Sequence, residues 1–190
     1  SWLLKRLSAD GTATTVEQPF DDLAGLRAGD GRAVAIASHG GAGMGLLELD
    51  LASGTWSHTP ASPAVLPEAQ ISRAEALWFE GAGGQRTHAW YYPPMTGQSS
   101  PAPLLVKGHS GPTAMARTGL NLGIQFWTSR GWGVVDVNYG GSTGFGRAYR
   151  NRLQGGWGEV DVADCAAAAK ALIADGRAHP DQIAMEGGSA

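Results

Sequence analysis

Apolar and polar positions change rhythm part-way along this chain. From residue 1 to about 60 the apolar residues come in short runs broken by turn residues. Trp2-Leu3-Leu4-Lys5-Arg6-Leu7 leads into Ser8-Ala9-Asp10-Gly11, Arg32 to Ser38 is a second run, and Gly45 to Leu51 is a third. Short strands at this spacing predict an all-β unit, whether sandwich, barrel or propeller. Leu46 to Leu51, the turn Ala52-Ser53-Gly54 and the returning Thr55-Trp56-Ser57 predict the hairpin of a propeller blade.

After Pro60-Ala61-Ser62-Pro63 the pattern shifts. Ala76 to Glu80 and His88 to Tyr92 are aromatic runs around Gly81-Ala82-Gly83-Gly84, which predicts a hairpin on a packed face. Pro93 to Pro103 reads as a surface loop. From there elements alternate. Leu104 to Lys107 is a short apolar run, Leu120 to Arg130 has helical spacing through Leu122, Ile124, Phe126 and Trp127, and Gly133 to Val137 is a near-continuous β-branched strand. A helix follows from Glu159 to Ala174, with Val162, Cys165, Ala169 and Leu172 or Ile173 on one face and the acids Glu159, Asp161 and Asp164 near its positive end. Ile183 to Met185 is the last strand. Strand, helix, strand, helix, strand predicts an α/β unit with a mostly parallel sheet.

Composition removes some function classes. The 190 residues carry 29 glycines, and charged residues make up 16%, below the roughly 25% usual for soluble domains; a turn-rich, ordered chain follows. A net charge of −3 offers no electrostatic footprint for nucleic acid or an anionic membrane, so neither is an expected partner. The single cysteine, Cys165, lies in an alanine-rich helical stretch and reads as a small core residue. No apolar run approaches the ~18 residues of a membrane span, and no leader-like segment opens the chain, so a cytoplasmic location is the expectation.

The chemistry concentrates at the far end, Ile183-Ala184-Met185-Glu186-Gly187-Gly188-Ser189-Ala190. An apolar strand running into Gly-x-Ser-x is the front of a nucleophile elbow, where a strained turn lifts a serine Oγ above the sheet and small residues flank it. Four of the motif's five positions are visible. Hydrolases with this elbow supply their triad in the order Ser, Asp or Glu, His, so the expectation is a chain that continues beyond residue 190 to provide acid and base.

A run of ordered blocks completes the picture: Ile71-Ser72-Arg73, Gly108-His109-Ser110-Gly111-Pro112-Thr113, Gln125 to Gly131, Val135 to Gly146, Gly156-Trp157-Gly158-Glu159-Val160-Asp161-Val162 and Gly187-Gly188-Ser189-Ala190. Together they resemble the prolyl oligopeptidase family of serine peptidases, in particular its acylaminoacyl-peptidase and dipeptidyl-aminopeptidase-like members. The resemblance implies the last part of a β-propeller over residues 1–70 and the first half of an α/β-hydrolase domain over 71–190. It implies a peptide substrate cleaved through an acyl-enzyme on Ser189 and leaves room for a homo-oligomer. The oxyanion hole would take one N–H from Ala190 and another from Ser110 or Gly111, with Gly111 favoured. Family members usually carry His-Gly-Gly-Pro where this chain has His109-Ser110-Gly111-Pro112; a serine fits there at negative φ and strains the loop at positive φ.

Other residues are weighed against this. His109 precedes the nucleophile, so a loop-shaping or oxyanion-side role is expected, not that of general base. His39, His58, His88 and His179 read as packed or solvated; no pair has ligand spacing, so neither metal nor cofactor is expected. The loop Gly140-Gly141-Ser142-Thr143-Gly144-Phe145-Gly146 lacks the phosphate-binding spacings and is expected to pass near the active-site floor, with Tyr139 and Phe145 lining the cleft or packed. Arg147, Arg150 and Arg152 read as a solvated face. A carboxylesterase on the same fold and a non-catalytic binding chain are the alternatives; a propeller-like cap favours peptides over simple esters.

Overall fold

A computed structural model describes residues 2–63, 66–95 and 101–189. It separates into two compact units, Ser1–Ile71 with Arg117–Asn121, and Ser72–Ala116 with Leu122–Ala190.

In the first unit, β1 (Lys5–Leu7) pairs with β2 (Ala13–Thr15), and β3 (Asp22–Gly29), β4 (Arg32–His39), β5 (Ala42–Asp50) and β6 (Trp56–Pro60) form an antiparallel meander in that order. Alternation explains β4 and β5. Ala33, Ala35 and Ala37 are buried opposite Leu49, Leu47 and Gly45, while Ile36 and its partner Leu46 stay exposed. Phe20 anchors one end, its ring against those of His39, Trp56 and His58. The hairpin expected between Leu46 and Ser57 is the β5–β6 pair. Strand β3 gives no sequence signal, because its glycine-interrupted residues are mostly exposed and alternate nothing.

The second unit is built on one five-stranded sheet, ordered β11-β9-β10-β8-β7. Here β8 (Arg86–Tyr92) pairs antiparallel with both β7 (Glu75–Glu80) and β10 (Gly133–Asn138), whereas β10, β9 (Ala102–Gly108) and β11 (Ala178–Gly187) are mutually parallel. On one face α3 (Val160–Ala174), which follows the short α2 (Arg147–Arg150), brings Cys165, Ala168, Ala169 and Leu172 onto Leu104, Val106, Val135 and Val137. On the other, α1 (Leu122–Thr128) sets Ile124 against Tyr92, Leu105 and Val134. Every residue of β10 is buried, which is why it reads as a continuous apolar run.

Three expectations shift. The first helix covers only Leu122–Thr128, and Leu122 and Phe126 face outward; its inward Gln125 accepts from the Ser72 N–H at 2.8 Å and donates to the Ser72 carbonyl at 3.0 Å, pairing with the backbone as a strand would. In α3, Val162 is 57% exposed while Asp164 is buried, because the inward positions continue from Cys165 and Ala168 through Asp164. Strand β11 begins at Ala178, five residues early, and crosses an irregularity before its regular pairing from Ile183. Of the Pro93–Pro103 loop, residues 96–100 lie outside the described residues.

Candidate active site

The parallel strands deliver three segments to one end of the sheet. Strand β11 ends at Gly187, β9 at Gly108 and β10 at Asn138, and Ser189, His109 and Tyr139 each follow within two residues. Ser189 is exposed and holds φ +57°; Asp30 is the other non-glycine at positive φ among the described residues. A left-handed serine directly after a strand costs on the order of 1 kcal/mol and is the backbone form of an elbow. The flanking glycines are less crowded than the motif suggests. A Cβ on Gly187 would meet the Gly108 carbonyl at 3.4 Å, and one on Gly188 would meet nothing within 4 Å.

The loop after β9 reaches the serine. Gly111 N–H donates to the Ser189 carbonyl at 3.1 Å, so that donor is engaged with the elbow itself. Gly111 has φ +144°, and an added Cβ would lie 2.9 Å from the Thr113 nitrogen, so glycine is required there. Ser110 is not among the positive-φ residues, and its Cβ is accommodated without that strain. Ala190 lies outside the described residues.

His109 is half-buried and fully engaged. Its Nδ1 lies 2.9 Å from the Ser110 carbonyl. Its Nε2 lies 2.7 Å from Ser142 Oγ, whose hydroxyl donates to the Tyr139 carbonyl at 2.7 Å, and burial lowers the pKa of the ring. The ring stacks on Tyr139 with centroids 4.3 Å apart. Burial pushes the Tyr139 phenol up to about 12; it stays protonated and donates to the His109 carbonyl at 2.7 Å. Tyr139 and His109 line a cavity of about 250 Å³ with Val162, Cys165, Met185 and Gly188. Burial raises the Cys165 thiol to about 12, which leaves it an inert wall.

Phe145 goes elsewhere. Its ring packs on His88, Trp78 and Tyr149, at 5.0, 5.9 and 4.8 Å. His88 is 3% exposed; burial lowers its pKa to about 4, and Asn138 donates to its Nδ1 at 3.0 Å. The remaining histidines serve local turns and packing: His39 and His179 accept from the N–H groups of Gly41 and Asp181, and His58 lies 3.2 Å from the Ala37 carbonyl. Arg152 stacks on Tyr149 and donates to the Arg86 carbonyl, while Arg147 and Arg150 are exposed.

The glycine loop is held from below, and sequence reasoning misses how. Asp164, 1% exposed, accepts from Gly140 N–H and Ala82 N–H, both at 2.7 Å, tying the loop after β10 to the turn between β7 and β8. Gly140 and Gly141 are closely packed: their absent Cβ atoms would meet Val160 and Leu153 at 2.8 Å. Among the described residues no group of three His, Cys, Asp or Glu could hold a metal, and no helix is long and apolar enough to cross a membrane.

Residues 119–190 match the model of the prolyl oligopeptidase family. Dipeptidyl aminopeptidase BIII of Pseudoxanthomonas mexicana is 36% identical over 90 residues, 47% of this chain and 13% of that protein. A puromycin-hydrolyzing peptidase of Mycobacterium tuberculosis superposes with a TM-score of 0.94 at 36% identity, covering 99% of this chain and 30% of its own. A puromycin hydrolase structure gives 0.91 at 36% identity, with 97% and 29% covered. The chain therefore spans under a third of the length of each of these proteins.

Proposed function

We propose that this chain, whose residues 119–190 belong to the prolyl oligopeptidase family, carries the nucleophile and oxyanion loop of a serine peptidase. Residues 1–70 would be propeller strands and 71–190 the first half of an α/β-hydrolase domain. The observation that carries the reading is the juxtaposition at the sheet end: a left-handed Ser189 directly after a parallel strand, with the Gly111 loop within hydrogen-bond reach.

In this reading Ser189 Oγ attacks the scissile carbonyl and becomes acylated, the leaving amine departs protonated, and water then releases the acid. The developing oxyanion is received by the Ala190 N–H and by the second loop donor. Gly111 serves if its N–H moves from the Ser189 carbonyl to the substrate; Ser110 is the neighbouring alternative. The base must lift the Ser189 proton, and His109 is unsuited because both its ring nitrogens are engaged, Nδ1 at the Ser110 carbonyl and Nε2 at Ser142 Oγ. The triad acid and histidine are thus assigned outside the described residues. The likeness to puromycin-hydrolyzing peptidases makes puromycin and short peptides with a free amino end the first substrates to try.

A fluorophosphonate probe tests the assignment. The gene product should be labelled and lose peptidase activity stoichiometrically, and Ser189→Ala should abolish both. Equal labelling of wild type and Ser189→Ala would sink the proposal.

A further inference from the structure

The α1 face of the sheet carries an unexpected row. One or two residues before the strands end, register puts Asp136 of β10 beside Lys107 of β9, and Lys107 beside Glu186 of β11. Lys107 Nζ is in direct contact with Glu186 Oε1. The row immediately below on the same face, Val134, Leu105 and Ala184, is apolar and packed on Ile124 and Tyr92. Asp136 is 9% exposed, and burial raises its carboxyl to about 6 against the pull of Lys107. Charge at such a place costs desolvation that an ion pair only partly returns, so the row is a poor device for stability and a good one for specifying an arrangement.

What it can specify is register. A one-residue slip of β11 against β9 would turn its apolar side chains to the wrong face, and the core forbids that. A two-residue slip keeps every face, and the charged row opposes it. It would place Glu186 beside Leu105, or Ala184 beside Lys107, separating the charges along the strand by about 6.6 Å. The same slip would carry the serine equally far from the β9 loop, because Ser189 lies three residues past Glu186 and that loop starts two residues past Lys107. The three charges also border a cavity of about 450 Å³ shared with His109, Ser110 and Gly188.

We propose that Asp136, Lys107 and Glu186 form a register lock that fixes the nucleophile strand against the oxyanion-loop strand, with Lys107 and Glu186 as positioning residues for Ser189. The inference rests on the reading of Ser189 as nucleophile, so its test has an arm independent of reactivity. In the full gene product, Glu186→Gln, Lys107→Met and the double variant are compared for the rate of fluorophosphonate labelling and for amide exchange over residues 183–187. Glu186 is half-exposed, so its glutamine variant is expected to fold with an unchanged thermal midpoint. Each single change should slow labelling about tenfold, the double should be no slower than the slower single, and Lys107→Arg should restore most of the rate. Exchange in 183–187 should quicken in the same variants. If wild type labels but the single variants label within twofold of it, or if the two effects multiply, the lock is overturned. If wild type does not label at all, the nucleophile reading fails, and exchange alone decides: unchanged protection in 183–187 overturns the lock and selective loss there supports it.

Discussion

At the scale of single residues, burial sets the behaviour of His88 and Asp136, and the two respond to pH in opposite senses. His88 is lowered from 6.5 to about 4 by burial, so it favours folding when neutral; that contribution is full above pH 6.5 and is lost as pH falls through about 4. Asp136 is raised from 3.8 to about 6, so its contribution is full below pH 3.8 and is lost as pH rises through about 6. Between pH 4 and 6 the two oppose each other. Asp136→Asn should therefore steepen the fall of thermal midpoint on acidification across that window, and His88→Gln should flatten or reverse it. Parallel midpoint curves for wild type and Asp136→Asn would remove Asp136 from the account. Gly111 is the other decisive position. Its φ of +144° and the 2.9 Å approach to Thr113 leave no place for a side chain, so Gly111→Ala should distort the loop and cut kcat by about 10²-fold with a smaller change in KM. An unchanged kcat would mean that Gly111 is not part of the oxyanion-binding loop.

At the scale of elements, one buried carboxylate does the joining. Asp164 of α3 satisfies backbone donors from two loops, Ala82 and Gly140, while its own helix packs by Cys165, Ala168 and Leu172. Asp164→Ala strands both N–H groups and should cost on the order of 2–4 kcal/mol, seen as a lowered denaturant midpoint with amide exchange quickest at Gly140 and Ala82. A loss below about 0.5 kcal/mol would show that water replaces the carboxylate fully. The contrast with the rest of the element explains what sequence can reveal. Strands β8 and β10 were legible because near-complete burial makes continuous apolar runs, and most of the inward face of α3, though not Val162, because burial writes a period into a helix. The serine and glycine loops were legible because their backbone angles demand particular residue types. Asp164 and the Asp136–Lys107–Glu186 row were not legible as a group, since what unites them is pairing between strands and loops up to 82 residues apart, and no local spacing encodes it. Strand β3 was lost for the reverse reason: its exposed residues carry no period.

At the scale of the whole molecule, the change of rhythm near residue 70 was visible in the pattern, but the excursion of residues 117–121 was not. Those five residues sit in the middle of the α/β stretch by sequence and in the first unit by contact. Arg117 pairs with Asp22 at 2.5 Å, Leu120 N–H donates to the His39 carbonyl at 3.1 Å, and a Cβ on Gly119 would lie 2.4 Å from the hydroxyl of buried Ser38. No hydrophobic periodicity marks such a segment, because backbone bonding and close approach hold it. A cut at residue 71 would therefore strip the first unit of a strap, and the chain is better treated as two units threaded together. Gly119→Val isolates the strap without touching the sheet end that carries Ser189. It should destabilise the first unit by about 1–3 kcal/mol through overpacking against Ser38. Amide exchange should quicken at Leu120, at Asp21, whose N–H donates to the Ser38 carbonyl, and along β4, while β9, β10 and β11 keep wild-type protection. Equal loss of protection across both sheets would instead mean that the two units unfold as one cooperative body, and the strap would then bear on the whole molecule's stability and not on one unit's.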